Sequence, residues 1–151
     1  MKFFYYCFAG SHSSVIAANI HLKILPGDRV ATIEEICNVK EFDRRNNVEP
    51  GIPLLIGKDE HENNVYVIGL KKNRNLGLQT IYHFLNQVSN PADWKFYDVL
   101  SEINWLTRVG GFISGNLNLP NIGRPIVARG IQKCYQKLIN VVKEAKGWNY
   151  P

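Results

Sequence analysis

The segment from Lys2 to Phe8 is apolar at most positions, rich in aromatic side chains and without polar alternation. This pattern is typical of a strand that is covered on both faces. The next segment, Val15 to about Lys23, is apolar nearly all round, which predicts a largely buried helix. Ser13 or Ser14 is expected to cap that helix. This part of the chain is therefore predicted to be a strand, a turn and a helix.

The middle of the chain contains signals for a short helix and a hairpin. The run Thr32-Ile33-Glu34-Glu35 has the form of a capping box, which predicts a helix that ends near Val39. Two apolar runs, Leu54 to Gly57 and Val65 to Leu70, are predicted as strands. Because the polar loop between them is too short for a parallel crossover, we expect an antiparallel pair.

The last part of the chain returns to alternating elements. An apolar stripe predicts a helix from about Leu76 to Val88, and a short strand is expected from Phe96 to Leu100. Residues 101–118 carry a Trp-Leu pair and several glycines and give no clear assignment. The run Pro125 to Arg129 is predicted as the last strand, and an amphipathic helix is expected after Gly130.

Alternating strands and helices predict an α/β fold. We expect a three-layer structure with a mostly parallel sheet of about five strands, helices on both faces and one antiparallel hairpin. A chain of 151 residues fits a single domain over residues 1–151. In such sheets ligands bind beyond the carboxyl ends of the strands, so polar residues at that edge are the first candidates for a site.

Composition narrows the classes of function. No stretch approaches the roughly 20 apolar residues needed to span a bilayer, so no membrane association is predicted. The three cysteines are far apart and lack paired spacing, which predicts free thiols in a reducing cytoplasm. The net charge of +5 allows a polyanionic partner, but basic residues cluster only at Arg44-Arg45 and at Lys71 to Arg74. Nucleic-acid binding is therefore the least favoured of three hypotheses.

The turn after the first strand is the candidate site, and it predicts binding of a small anion. Gly10 permits a tight turn, and the first backbone N–H groups of the following helix attract negative charge. Ser11, Ser13 and Ser14 offer hydroxyl groups, and His12 can donate a hydrogen bond or transfer a proton. The alternative interpretation is that the serines only cap a buried helix and that His12 is a surface residue.

The turn lacks the lysine of a nucleotide-binding P-loop, since no lysine occurs from Cys7 to Asn19. It is closer to a second type of loop. The run Cys7-Phe8-Ala9-Gly10-Ser11-His12-Ser13-Ser14 resembles the nucleophile loop of low-molecular-weight protein tyrosine phosphatases. The resemblance implies that Cys7 stands at the nucleophile position and Ser14 at the position of the serine that supports the thiolate. Ser13 replaces the phosphate-binding arginine, so Cys7 is either a nucleophile or a buried strand cysteine.

Several segments along the chain resemble an uncharacterised family of proteins of about 150 residues from Gram-positive, largely spore-forming bacteria. This resemblance implies a bacterial domain and no particular activity. The segments that carry it are Tyr6 to Val15, Ile20 to Leu22, Gly57 to Tyr66, Asn104 to Phe112 and Gly123 to Gly130.

Two arginines are candidates for the missing positive charge. Arg129 is expected where the last predicted strand ends, and Arg108 precedes a Gly-Gly pair. A surface salt bridge is the alternative for each. No metal site is predicted: His21 is too far from His12 to share a metal and is expected to be a satisfied, partly buried histidine. The acidic hairpin tip, Asp59 to Glu62, is expected to be solvated.

The sequence thus leaves three hypotheses. The first is binding of a phosphate-like or nucleotide-like anion at residues 7–14, where Cys7 and His12 are the candidate catalytic residues if a reaction follows. The second is a non-enzymatic protein-interaction module that docks a partner through Trp105 to Phe112. The third, nucleic-acid binding, requires the basic pairs and clusters to share one face. No cofactor is indicated by the sequence.

Overall fold

The computed structural model describes residues 1–43, 51–99 and 120–147. Within these ranges the chain forms a sheet and four α-helices. The strands are β1 (Lys2–Cys7), β2 (Leu54–Lys58), β3 (Asn64–Gly69) and β4 (Trp94–Asp98), and the α-helices are α1 (Ser13–His21), α2 (Ile33–Asn38), α3 (Arg74–Val88) and α4 (Pro120–Ala145). A single 3-10 turn, Pro91–Asp93, precedes β4.

The sheet has the strand order β2-β3-β1-β4, so β1 lies inside it. Strand β1 pairs in parallel with β3, where Phe3 lies opposite Val65, and with β4, where it lies opposite Lys95. Strands β2 and β3 form the antiparallel pair that the sequence predicts, with an irregularity between Leu55 and Gly57. The carboxyl ends of β1, β3 and β4 therefore meet at one edge of the sheet, which is where the turn after β1 lies.

One face of the sheet carries the main core. Side chains of β1 at alternate positions, such as Phe3 and Tyr5, are buried there with residues of α1 and α4. Helix α1 is buried at all of its residues, because it lies between the sheet and α4. This confirms the prediction of a largely buried first helix.

The other face of the sheet is covered less completely. Phe4 stacks with Tyr66 and Phe96, with ring centroids 4.7 Å apart in both pairs. Helix α3 packs on this face beside a small apolar cluster, and Leu85 is its one buried residue. The helix therefore has an apolar side that remains open to solvent.

The prediction of a five-stranded, three-layer fold is wrong. The described residues form four strands in a mixed sheet. Residues 125–129, predicted as the last strand, lie inside helix α4. Val127, Ala128 and Ile131 are buried at helical spacing against the main core, and this burial outweighs the helix-breaking tendency of Pro125.

Helix starts can be compared directly with their predicted caps. Thr32 caps α2: its side chain accepts from Glu35 N, and the Glu35 carboxylate accepts from Thr32 N at 2.7 Å, which confirms the capping box. At α1 the N-cap residue is His12, with no side-chain capping bond, and both predicted capping serines lie inside the helix. The hydroxyls of Ser13 and Ser14 are therefore not used as caps.

Within the described part of the chain no helix is long and apolar enough to cross a membrane. The single domain expected over residues 1–151 stays a prediction.

Candidate functional site

The turn after β1 is held against the end of β3 by a contact between two glycines. Gly10 has φ +72, a conformation that favours glycine. A Cβ atom on Gly10 would lie 2.8 Å from the backbone nitrogen of Gly69, and one on Gly69 would lie 2.7 Å from the Ala9 carbonyl. Both positions therefore require glycine for this approach. The sequence indicated Gly10, but Gly69 was not recognised because its partner is distant in the chain.

Three backbone hydrogen bonds join residues 7–14, called here the β1–α1 loop, to neighbouring segments. Leu70 N donates to the Cys7 carbonyl at 3.0 Å and Lys71 N to the Phe8 carbonyl at 2.9 Å. Asp43 N donates to the Ser11 carbonyl at 3.0 Å. Lys71 and Asp43 both have positive φ, 51 and 56, although neither is glycine. Strained backbone of this kind is often retained at functional sites.

Cys7 is buried at the start of the β1–α1 loop, with its sulfur close to two polar groups. Gly10 N donates to the Cys7 Sγ at 3.2 Å, and the Ser14 Oγ lies 3.1 Å from the same sulfur. Either member of the Cys7–Ser14 pair can be the donor. The Cys7 sulfur therefore has two polar neighbours in the described part of the chain.

The serines of the loop are all buried, with relative exposures of 3% for Ser11, 1% for Ser13 and 0% for Ser14. The Ser13 hydroxyl oxygen has no hydrogen-bond partner within the described structure. A buried hydroxyl without a partner costs about 1–3 kcal/mol, so its presence at the first residue of a helix is unusual. The Ser13 hydroxyl is thus a buried polar group of this loop that has no internal partner in the described structure.

His12 is partly buried and bonds to an acidic residue that the sequence did not indicate. Its Nε2 lies 2.7 Å from the Asp43 Oδ1, and the Asp43 side chain is 1% exposed. The Phe42 ring lies against the imidazole with centroids 6.0 Å apart. His12 is therefore not an isolated surface residue. Asp43 was missed because the contact spans 31 positions and follows no local pattern.

Arg124 of helix α4 anchors the segment that carries Asp43. Its Nη2 donates to the carbonyl oxygens of Cys37 at 3.0 Å and of Phe42 at 3.2 Å. Its Nε is buried and has no partner within the described structure. The arginine thus holds the chain between α2 and Asp43 against α4. Sequence reasoning missed it, since it placed a strand next to this position.

Of the two arginines that were predicted to supply charge, the structure describes Arg129. Arg129 lies within α4 with an exposed side chain, so the reason for choosing it, a strand end at the sheet edge, is wrong. A role for it in binding stays a prediction. Arg108 lies outside the described residues, as does the Trp105 to Phe112 segment.

A second buried polar cluster lies at the other end of α1. His21 is fully buried: its Nδ1 lies 2.7 Å from the Tyr5 hydroxyl and its Nε2 lies 3.1 Å from the Asp59 Oδ2. This confirms the expectation of a satisfied histidine. Asp59 also accepts from His61 N at 2.8 Å and Asn63 N at 2.9 Å. The expectation that this acidic residue is solvated is wrong, because its side chain is 2% exposed.

The pKa values of this second cluster fix its protonation. Burial raises the pKa of Tyr5 well above its ordinary value and lowers that of His21. Burial alone would raise the pKa of Asp59, but hydrogen bonds from Asn63, His21 and the His61 backbone hold it well below its usual range. We therefore assign a neutral His21 that accepts from the Tyr5 hydroxyl and donates to an ionised Asp59.

These features define a small α/β protein with a mixed sheet and a tightly held loop at the carboxyl end of its first strand. The chain belongs to the family described as "Protein of unknown function (DUF3189)", whose profile matches residues 2–147. This confirms membership of an uncharacterised family. No curated protein and no solved structure matches the chain.

Proposed function

We propose that the protein binds a phosphate-like or nucleotide-like anion at the β1–α1 loop. The observation that carries this proposal is the Ser13 hydroxyl, which is buried and lacks a partner at the first residue of α1. The positive end of a helix dipole and a hydroxyl with no internal partner are both suited to an anion. The loop also lies at the edge of the sheet where ligands of parallel strands bind.

The other residues of the loop have defined parts in this proposal. Gly10 allows the close turn, and Ser11 and Ser14 contribute hydroxyl groups beside Ser13. His12 is the candidate acid or base, with Asp43 at 2.7 Å. Cys7 is the candidate nucleophile of a reaction that follows binding, which its two polar neighbours support. Loss of phosphomonoester hydrolysis in Cys7→Ser, measured beside wild type, would identify such a reaction.

Thermal unfolding in increasing inorganic phosphate, and separately in a nucleotide, tests the binding itself. At one hundred times Kd we expect the wild-type Tm to rise by about 5–10 °C, because a ligand that binds only the folded state stabilises it. Ser13→Ala and Ser14→Ala should lose most of this shift. The matched control is Ser89→Ala, since Ser89 lies at the far end of α3 and bonds to the Leu85 carbonyl.

Two results would refute the proposal. The first is an absence of any shift in the wild-type protein. The second is a shift of equal size in wild type, Ser13→Ala and Ser14→Ala, because the anion would then bind elsewhere on the basic surface.

A second candidate is a protein-interaction module that uses the exposed side of α3, since the Trp105 to Phe112 segment predicted for this role lies outside the described residues. Leu76, Phe84 and Val88 are each at least 60% exposed, and they recur at spacings of four or eight positions along this helix. A photoreactive residue at position 84 should cross-link a defined partner, whereas one at the exposed Gln79 on another side of α3 should not. Equal yields at both positions would remove this support.

The cysteines and the basic clusters bear on location in the cell and on nucleic-acid binding. A cytoplasmic location is proposed because Cys7, Cys37 and Cys134 are free thiols. Nucleic-acid binding is not proposed, since Arg44 and Arg45 lie outside the described residues and Arg74 is paired with Asp98 at 3.2 Å.

A further inference from the structure

The β1–α1 loop contains no lysine or arginine, so an anion bound there needs positive charge from another source. We infer that Asp43 makes His12 the positive charge of this loop, so that anions bind more tightly as pH falls. This inference rests on the proposed anion site and states what regulates it. In this scheme Asp43 is a positioning residue, which acts on the anion only through His12.

The two ring nitrogens of His12 differ in their hydrogen-bond partners. The Nε2 is taken by Asp43 at 2.7 Å, and no bond to Nδ1 occurs within the described structure. A neutral imidazole has one N–H donor, which in His12 is the Nε2–H that bonds to Asp43. Nδ1 is then an acceptor, and its lone pair repels an anion. In the imidazolium both nitrogens donate. Nδ1–H can then bind the anion while Nε2–H stays on the carboxylate.

The carboxylate partner of His12 is shielded from solvent. The Asp43 side chain is almost inaccessible to solvent, so the attraction between a carboxylate and an imidazolium is only weakly screened. Asp43 is itself fixed, since its backbone N–H donates to the Ser11 carbonyl at 3.0 Å. A histidine of ordinary pKa changes charge between about pH 5 and 8, and the inference is tested over this range.

The described elements next to the pair carry other charged and titratable groups. On the side of α2 and α4, Arg124 holds the Cys37 and Phe42 carbonyls next to Asp43. Burial raises the pKa of the Cys37 thiol, so it is neutral near pH 7. The segment before Asp43 also carries Lys40 and Glu41, and within the described residues the ion-pair partner of His12 is Asp43 and not Glu41.

On the side of the sheet the neighbouring groups are Cys7 of β1 and Lys71, which follows β3. The Lys71 ammonium lies 5.4 Å from the Phe8 ring centroid. Cys7 matters for the test, because a thiolate formed at high pH would also repel an anion. The experiment must therefore separate the cysteine from the histidine.

The experiment measures the Kd of sulfate by calorimetry at pH 5.5, 6.5 and 8.0. Sulfate keeps its double charge over this range, so any change comes from the protein. For wild type we expect binding about tenfold weaker at pH 8.0 than at pH 5.5. His12→Asn should bind weakly and without this dependence. His83→Asn, at an exposed histidine of α3, and Cys7→Ser should both keep it.

Asp43→Asn separates charge from shape, because an asparagine oxygen can still accept from Nε2–H. We expect its binding curve to move to lower pH, with a Kd about tenfold weaker at pH 6.5 that recovers at pH 5.5. A merely structural role would weaken binding equally at every pH. His12→Asn supplies the same test through a more exposed residue if Asp43→Asn is too unstable to measure.

Three outcomes would overturn the inference. A wild-type Kd for sulfate that does not change with pH would overturn the inference and leave the anion site intact. A dependence that persists in His12→Asn but disappears in Cys7→Ser would assign the effect to the thiol. An absence of sulfate binding at every pH would overturn the anion site and this inference together.

Discussion

The two ends of helix α1 carry buried polar clusters of opposite character. At its last residue, His21 has a partner on each ring nitrogen, and Asp59 accepts bonds from several donors. At its first residue, Ser13 has a buried hydroxyl with no partner in the described structure. The same helix thus begins in an incompletely satisfied site and ends in a fully satisfied one.

This difference separates polar groups that stabilise the fold from one that no contact in the described structure satisfies. The cluster at the end of α1 joins the helix to the β2–β3 hairpin, and Lys146 adds bonds to the His21 carbonyl and to Glu60. A complete network of this kind has no capacity for a ligand. At the start of α1 the Ser13 hydroxyl has no partner among the described residues, so this end of the helix is incompletely satisfied.

The largest expected effect comes from removing the acceptor of the satisfied cluster. Asp59→Ala should lower the free energy of unfolding by about 3 kcal/mol, because it leaves buried donors without a partner. Urea denaturation measures this. Glu62→Ala is the control, since Glu62 is 79% exposed in its pair with Lys58 and should change stability by less than about 0.5 kcal/mol. If the folded Asp59→Ala variant lost the rise in Tm with phosphate, the two ends of α1 would not be independent.

A smaller effect is expected from pH acting on His21. Burial lowers the pKa of His21 in the folded protein below its ordinary value of 6.5, so the unfolded chain takes up a proton at higher pH. The stabilisation by neutral His21 is complete above about pH 6.5 and is lost as pH falls through the folded pKa. Between pH 7 and pH 5 the free energy of unfolding should therefore fall more for wild type than for His21→Gln. Parallel losses in the two proteins would contradict this.

The smallest effect on stability is expected at the unsatisfied end. Ser13→Ala should raise the free energy of unfolding by about 1 kcal/mol, because it removes a buried hydroxyl that has no partner in the described structure. Alanine also has the higher helix propensity. A loss above about 2 kcal/mol in urea denaturation would show that the hydroxyl supports the fold, and the contrast between the two ends would disappear.

Local patterns predicted most of the elements. The strands and helices up to β4 lie within a few residues of their predicted positions, and the capping box at Thr32 is present. The error came at residues 125–129, where the β-branched pair Ile126-Val127 between Pro125 and Gly130 is typical of a strand. Only the packing of α4 against the core decides this segment, and a local window does not contain that information.

The candidate site was predictable in its local part alone. Gly10 and the serines follow one another in the chain, so their position after a strand was enough to single them out. Asp43, Gly69 and Arg124 join the loop from distant segments, and their positions depend on how α2, β3 and α4 pack. The sequence pattern therefore predicted the loop itself. The contacts of Asp43, Gly69 and Arg124 depend on tertiary packing and could not be predicted from it.

The place of β1 inside the sheet has a consequence for synthesis of the protein. Phe3 pairs with Val65 on one side and Lys95 on the other, so this strand leaves the ribosome well before either partner. At translation rates of roughly 5–20 residues per second the wait lasts several seconds. During that time one of the most aromatic segments of the chain has no strand beside it. Slowed translation before β3 should therefore increase aggregation of the nascent chain more than the same delay placed after β4.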